Sequence, residues 1–197
     1  MSLVLASASP TRQAMLRAAG VSFTISPASL DEADLMKELT ANGADAVAVT
    51  ATLAEQKAML VSRRMPHLTV LGGDSVLLLG SEILGKSHDL KALKILLRKM
   101  SGRSHHLVSS AALARDGHVF WHHTERVRMT VRHLSDGFID SYLTREGKAL
   151  LGSAGGYRFE GFGAQLFESV EGDYFSILGM PLLPVLAELR AQGLLER

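Results

Sequence analysis

Residues 3–12 read Leu3-Val4-Leu5-Ala6-Ser7-Ala8-Ser9-Pro10-Thr11-Arg12, a stretch in which an apolar strand leads directly into a helix. Pro10 suits the first helical position, because its fixed φ matches the helix and no backbone N–H is needed there. Ser9 is then the N-cap. Free N–H groups at a helix N-terminus and an arginine fork both match phosphate oxygens. The junction therefore indicates an anion site, with an ordinary capped helix and a surface arginine as the alternative.

The composition indicates a soluble globular protein. Of the 197 residues, 47% are hydrophobic and 21% are charged, which is not the composition of a disordered chain. The formal net charge of +1 predicts neither a nucleic acid nor a membrane as partner, so any phosphate binding must be local. The absence of cysteine excludes disulfides and thiolate zinc sites. Because no leader or membrane-spanning pattern is found, we expect a cytoplasmic location.

Strand and helix patterns alternate along the chain, which predicts a mixed α/β sheet. The Asp116-Gly117 pair predicts a tight hairpin, and the segment from Asp31 is predicted to be an acidic loop or a short helix. The strand at 68–79 is predicted to be interrupted by Gly72-Gly73-Asp74-Ser75. The other predicted strands are 21–26, 105–115, 118–132 and 164–169, and the predicted helices are 44–64, 90–100, 136–145 and 181–191.

Asp74 is the most informative polar residue, because it lies inside the most apolar predicted strand. A buried carboxylate is costly unless a positive group meets it, so metal coordination or general-base chemistry would explain it. The alternative is a solvated aspartate at a β-bulge. Lys57 and Lys86 are weak candidates by themselves, since most such lysines are merely solvated. Glu32 is a candidate magnesium ligand or part of an acidic surface loop.

The histidine pairs His105-His106 and His122-His123 do not predict a metal site. Adjacent residues on a strand face opposite sides of the sheet, so each pair offers a single ring to any common site. We therefore expect histidines on the polar face of the sheet and exclude zinc or nickel binding here.

Several motifs in fixed order resemble the Maf family of nucleoside triphosphate pyrophosphatases over residues 3–189. They are Leu-Ala-Ser-x-Ser-Pro-x-Arg from residue 5, Glu-x-Lys-Ala from 55, Gly-x-Asp-Ser from 72, Gly-Lys at 85 and Glu-Gly-x-Gly from 160. The resemblance implies one domain over residues 1–197. It also implies an α/β fold of the ITPase-like type, with a mixed, strongly curved sheet, flanking helices and two lobes around a nucleotide cleft.

The resemblance also implies a reaction, namely hydrolysis between the α and β phosphates to a nucleoside monophosphate and pyrophosphate. A divalent cation, Mg²⁺ or Mn²⁺, is the implied cofactor, and a nucleoside triphosphate is the implied partner. Asp74 takes the catalytic position and, with Glu32, the metal position. The implied substrate-binding residues are Ser7, Arg12, Lys57, Lys86 and Glu160. A homodimer is common in such families, and nothing in this sequence establishes one.

Glu160 points to the branch of the family that acts on 7-methyl-GTP. The branch acting on dTTP and UTP carries a glutamine before a glycine, and this chain has Glu160 before Gly161. A carboxylate can accept hydrogen bonds from guanine N1 and N2 and offset the positive charge of a methylated purine. Thr11 and Ser153 depart from the arginine and lysine of many relatives. A dTTP/UTP pyrophosphatase and a non-catalytic, nucleotide-binding regulator of septum formation are the alternatives.

Overall fold

The computed structural model describes residues 2–196, which form one mixed seven-stranded sheet with helices on both faces. The strands are β1 (Leu3–Leu5), β2 (Phe23–Ile25), β3 (Thr69–Leu79), β4 (Glu82–Leu84), β5 (Ser104–Arg115), β6 (His118–Val131) and β7 (Phe167–Glu171). The helices are α1 (Pro10–Ala18), α2 (Glu32–Ala41), α3 (Ala46–Arg64), α4 (Leu90–Met100), α5 (Asp136–Glu146), α6 (Tyr174–Ile177) and α7 (Leu182–Ala191). Within this part of the chain, no helix combines the length and the apolar character needed to cross a membrane.

The strand order is β2-β1-β3-β5-β6-β7, with β4 paired to the far end of β3. Strand β1 runs parallel to β2 and β3, whereas the remaining pairs are antiparallel. Leu3 and Leu5 pack in a cluster with residues of α1 and α7, while Val4 packs in another cluster with Val61 of α3. Helices α1 and α3 therefore cover opposite faces, which leaves a crevice at the carboxyl end of β1.

Strand β3 extends past this crevice. The last β1 residue, Leu5, pairs with Leu71, and β3 then continues to Leu79 alongside β5. Residues of β3 beyond Leu71 are therefore placed next to the loop between β1 and α1. Side chains alternate along a strand, so Asp74 faces α3 while Ser75 faces α1.

The local sequence signals predicted most elements correctly. Ser9 Oγ accepts a hydrogen bond from the Arg12 amide, and Pro10 is the first residue of α1. The predicted hairpin is confirmed, because Asp116 and Gly117 have φ values of 50° and 81°, as a type I′ turn requires. The segment from Asp31 is a regular helix of 10 residues, capped by the Asp31 carboxylate.

The predicted interruption of β3 is wrong. Residues Gly72 to Ser75 pair in regular register with Ala112 to Ser109 of β5, without a bulge. Gly72 instead permits close packing of the helix on the strand, since a Cβ on Gly72 would lie 2.2 Å from the Ala54 carbonyl oxygen of α3. The absence of a side chain allows α3 to lie directly on β3, which brings Lys57 over Asp74.

Candidate active site

A cavity of about 650 Å³ opens at the crevice beyond β1. One wall comes from the loop between β1 and α1, and the opposite wall comes from residues 148–158, which follow α5. The floor carries Asp74 and Ser75 of β3. Of the site residues predicted from the sequence, Glu160 does not line this cavity. The predicted residues that do line it are Ser7, Arg12, Glu32, Lys57, Asp74 and Lys86.

Asp74 is buried against a positive group, as its position in an apolar strand predicts. Its Oδ1 accepts a hydrogen bond of 2.6 Å from Lys57 Nζ, and both residues are almost inaccessible, at 4% and 5% exposure. Lys57 Nζ also lies 2.7 Å from Glu32 Oε1. The lysine therefore bridges two carboxylates that come from a strand and from the first turn of α2.

Glu32 is shared between two lysines. Its other oxygen, Oε2, accepts from Lys86 Nζ at 3.3 Å. Burial raises the pKa of Glu32, but the charges and hydrogen bonds of Lys57 and Lys86 outweigh burial and hold the pKa below its ordinary value. Glu32 is therefore ionised at neutral pH and is a competent oxygen donor for a hard cation.

Arg12 is more deeply embedded than a surface arginine, with 8% exposure. Its Nε donates to the Gly179 carbonyl at 2.7 Å, and its two terminal nitrogens donate to Ser7 Oγ and Ser75 Oγ at 3.2 Å each. Burial lowers the pKa of Arg12, and the nearby carboxylates of Asp74 and Glu32 partly offset that effect. A guanidinium has more N–H groups than these contacts use, so the remainder can bind an anion in the cavity.

Ser7 orders the loop before α1. Its hydroxyl accepts hydrogen bonds from the Ser9 amide and from Arg12, each at 3.2 Å. Since this hydroxyl links the loop to the first helical turn, Ser7 holds the backbone N–H groups of that turn beside the cavity.

Sequence reasoning missed a row of hydroxyls behind Arg12. Ser75 Oγ lies 2.8 Å from Ser109 Oγ, and Ser109 Oγ donates to the Ser176 carbonyl at 2.7 Å. These contacts attach α6 and the Gly179 turn to the sheet. Ser75 lay next to Asp74 in a recognised motif, but its partners lie far away in the chain, so only the structure shows what it does.

The wall opposite α1 supplies two further cations, Lys148 and Arg158. Lys148 is exposed, and it comes from the same segment as Ser153. A backbone bridge joins Lys86 to Ala154, so the Lys86 loop is fixed against this wall. Neither cation could be predicted from the sequence, because a single basic residue in a loop is usually solvated.

Glu160 lies outside the cavity lining. Its carboxylate accepts from Arg158 Nε at 3.3 Å, so it is linked to the cavity through that arginine. The structure therefore brings the phosphate-binding candidates together and leaves the candidate base-recognition residue at the rim.

His105 is buried in the core and does not lie on a polar face. Its Nε2 lies 3.0 Å from the hydroxyl of Tyr157, a residue of the cavity wall. Burial, aided by the neighbouring His106, lowers the pKa of His105 to about 4, so the ring is neutral at pH 7. For His105 the expectation of a polar face is wrong, because its side chain packs in the core beside Tyr157 and Phe167. His122 is exposed, and His106 and His123 are half-buried.

The cavity has the charge of an anion site. Five cationic side chains line it against two carboxylates, Glu32 and Asp74. Among residues 2–196, no group of three or more histidine, aspartate or glutamate side chains is arranged to hold a metal. A bound divalent cation would therefore take ligands from these two carboxylates and complete its shell with water or with oxygens of the ligand, as Mg²⁺ commonly does.

The chain matches one protein-family model and is similar to several known proteins. The family model described as "Maf-like protein" matches residues 2–192. The chain is 47% identical over 194 residues to a 7-methyl-GTP pyrophosphatase of Brucella suis, with 98% of each chain covered. It is 45% identical to a protein of the same name from Rhizobium meliloti, again with 98% of each covered. It is 46% identical over 190 residues to a nucleoside triphosphate pyrophosphatase of Granulibacter bethesdensis, with 96% of each covered.

A solved structure, a nucleoside-triphosphatase or dITP/XTP pyrophosphatase of Mycobacterium abscessus, is also similar. It covers 66% of this chain and 73% of its own, with 18% identity and a TM-score of 0.34.

Proposed function

Because the chain belongs to the Maf family, we propose that it hydrolyses nucleoside triphosphates between the α and β phosphates, releasing a nucleoside monophosphate and pyrophosphate. The observation that carries the proposal is the cavity that joins a buried carboxylate, Asp74, to an excess of cationic side chains. A triphosphate needs this combination of charge neutralisation and an oriented nucleophile.

In the proposed reaction, a water oxygen bonds to the α phosphorus, and the bond from that phosphorus to the bridging oxygen of the β phosphate breaks. In the nucleotide-free protein Lys57 contacts Asp74 at Oδ1, and we assign to Oδ2 the roles of orienting the water and taking its proton. Lys57, Lys86 and the N-terminus of α1 bind phosphate oxygens and stabilise the departing pyrophosphate.

Asp74 and Glu32 would hold the divalent cation that the family resemblance implies. Their carboxylate oxygens fit Mg²⁺ or Mn²⁺, and the lack of further acidic groups among the described cavity residues fits a cation that also contacts phosphate. When bound, the cation would neutralise phosphate charge.

The test of the function is pyrophosphate release by the purified chain with Mg²⁺ or Mn²⁺. The common nucleoside triphosphates and 7-methyl-GTP serve as substrates, and the Asp74→Asn variant serves as the blank. Release that depends on Asp74 supports the proposal. Absence of release from every substrate would contradict it and favour a nucleotide-binding regulator.

For the substrate, we propose 7-methyl-GTP or a related modified purine nucleotide. Two relatives that cover nearly the whole chain carry the name 7-methyl-GTP pyrophosphatase, and Glu160 supplies a carboxylate suited to a methylated guanine. Glu160 lies beyond Arg158 at the rim, so its proposed contact requires the purine to extend outward from the phosphates. A preference for dTTP or UTP would keep the mechanism and overturn this specificity.

Replacing Glu160 with glutamine is expected to lower kcat/KM for 7-methyl-GTP relative to GTP by about tenfold, the effect of losing one good base contact. The amide keeps the size of the side chain but removes the charge that offsets the methylated ring. Competition between the two nucleotides measures the ratio directly. Exposed Glu168, replaced in the same way, is the control. An unchanged ratio in Glu160→Gln would remove Glu160 from substrate recognition.

Replacing Arg12 with lysine is expected to raise KM by about tenfold while kcat changes less, because one ammonium cannot reproduce a forked contact to phosphate. Since the Gly179 carbonyl loses its 2.7 Å donor and keeps only the 3.3 Å contact from Ser75 Oγ, the free energy of unfolding should also fall by about 1 kcal/mol. Steady-state kinetics and urea unfolding measure the two effects. Arg17→Lys, an exposed change on the same helix, is the control, and kinetics equal to that control would place Arg12 outside the site.

A further inference from the structure

Lys57 occupies the space between the two carboxylates that would hold the cation. Its Nζ lies 2.6 Å from Asp74 Oδ1 and 2.7 Å from Glu32 Oε1. Lys57 and Asp74 are both buried, so water screens this contact poorly. In the nucleotide-free protein, the candidate metal ligands are therefore already neutralised by a positive group of the protein itself.

The charges of the cluster oppose a metal ion that arrives alone. Glu32 and Asp74 are balanced by Lys57 and Lys86, since Lys86 contacts the second oxygen of Glu32. A divalent cation would add two uncompensated positive charges next to a buried ammonium. A triphosphate bound at the same time would supply the compensating negative charge and new acceptors for Lys57.

We propose that Lys57 keeps the metal site closed until a nucleotide binds. This inference rests on the proposed function. Lys57 is the counter-ion of Asp74 and Glu32 in the free protein, and it transfers its hydrogen bonds to phosphate oxygens when the triphosphate enters. A lysine suits this exchange, because its ammonium is a compact charge on a flexible stem with rotatable donors. The carboxylates then become available to the cation.

The proposal predicts that metal and nucleotide bind cooperatively. By linkage, the factor by which the nucleotide raises metal affinity equals the factor by which metal raises nucleotide affinity. It also predicts that removing the Lys57 charge opens the site without any nucleotide. Glu32 and Asp74 would then attract a divalent cation directly.

The experiment is a titration of the nucleotide-free, full-length chain with Mn²⁺, in which the electron paramagnetic resonance signal measures free Mn²⁺. Wild-type protein is compared with Lys57→Met and with Lys37→Met, an exposed lysine on α2 outside the cavity. We expect Lys57→Met to bind Mn²⁺ about tenfold or more tightly than the wild type, within the usual range of coupling between sites. Lys37→Met should match the wild type.

Two further variants keep the test decisive if Lys57→Met does not fold. Lys57→Gln keeps a hydrogen-bond donor without the charge and should also bind Mn²⁺ tightly, whereas Lys57→Arg keeps the charge and should bind it weakly. Circular dichroism confirms that each variant is folded. Equal Mn²⁺ affinity of the wild type and Lys57→Gln would overturn the inference. Pyrophosphate release by the wild type tests the proposed function separately. That activity does not require Lys57 to control metal binding.

Discussion

Replacing Asp74 with asparagine is expected to lower kcat for pyrophosphate release by about 10³-fold, within the range measured for loss of a general base. The amide cannot take the proton of the attacking water and is a poor ligand for a hard cation. The fold should persist, because the asparagine oxygen can still accept from Lys57 and Glu32 remains as an ionic partner. Single-turnover measurements separate the chemical step from product release.

The control for this variant is Asp140→Asn, on the exposed face of α5, where Asp140 pairs with Lys94. It should retain wild-type kcat. Circular dichroism and a urea titration show whether Asp74→Asn is folded at the assay temperature. A folded Asp74→Asn protein with nearly normal turnover would remove Asp74 from the mechanism.

Replacing Gly72 with alanine is expected to lower the free energy of unfolding by about 3 kcal/mol or more, the upper end for overpacked cores. The new Cβ would lie 2.2 Å from the Ala54 carbonyl oxygen and 2.8 Å from the Ala58 amide nitrogen. Both atoms are backbone, so α3 must move away from β3 as a unit. Such a shift also carries Lys57 away from Asp74. Urea unfolding at constant m-value measures the loss.

Gly73→Ala is the matched comparison, because the residue is the next one on β3 and faces the opposite side. Its Cβ would lie 3.3 Å from Arg12 Nε, a contact that a small side-chain adjustment relieves. Gly73→Ala should therefore destabilise the protein less than Gly72→Ala. Equal losses would show that the close approach of α3 is not what makes Gly72 necessary.

Local signals explain which parts of the fold could be predicted from the sequence. The cap at Ser9, the Pro10 position and the Asp116-Gly117 turn each depend on neighbouring residues, and the structure confirms all three. The regularity of β3 could not be predicted in this way. A β-bulge and a strand closely covered by a helix would both place glycines near Asp74. Only the position of α3 distinguishes these two structures.

The same reasoning applies to the candidate site. Ordered motifs located Asp74 and Lys57, and the structure brings both into one cavity. The contact between Arg12 and Gly179 could not be predicted, because the two residues lie 167 positions apart in the chain. Lys148 and Arg158 belong to none of the recognised motifs. Glu160 belongs to the Glu-Gly-x-Gly motif, but it does not line the cavity.

The contact between Arg12 and Gly179 makes the order of synthesis relevant to activity. A ribosome has produced Lys57, Glu32 and Asp74 long before it reaches Gly179, so the unfinished chain already contains the reacting carboxylate. It does not yet contain the carbonyl that accepts from Arg12 Nε, nor the Ser176 carbonyl that accepts from Ser109. The anion site consequently reaches its final geometry only after residues 176–179 have emerged, which ties the geometry around Arg12 to a segment made long after Asp74.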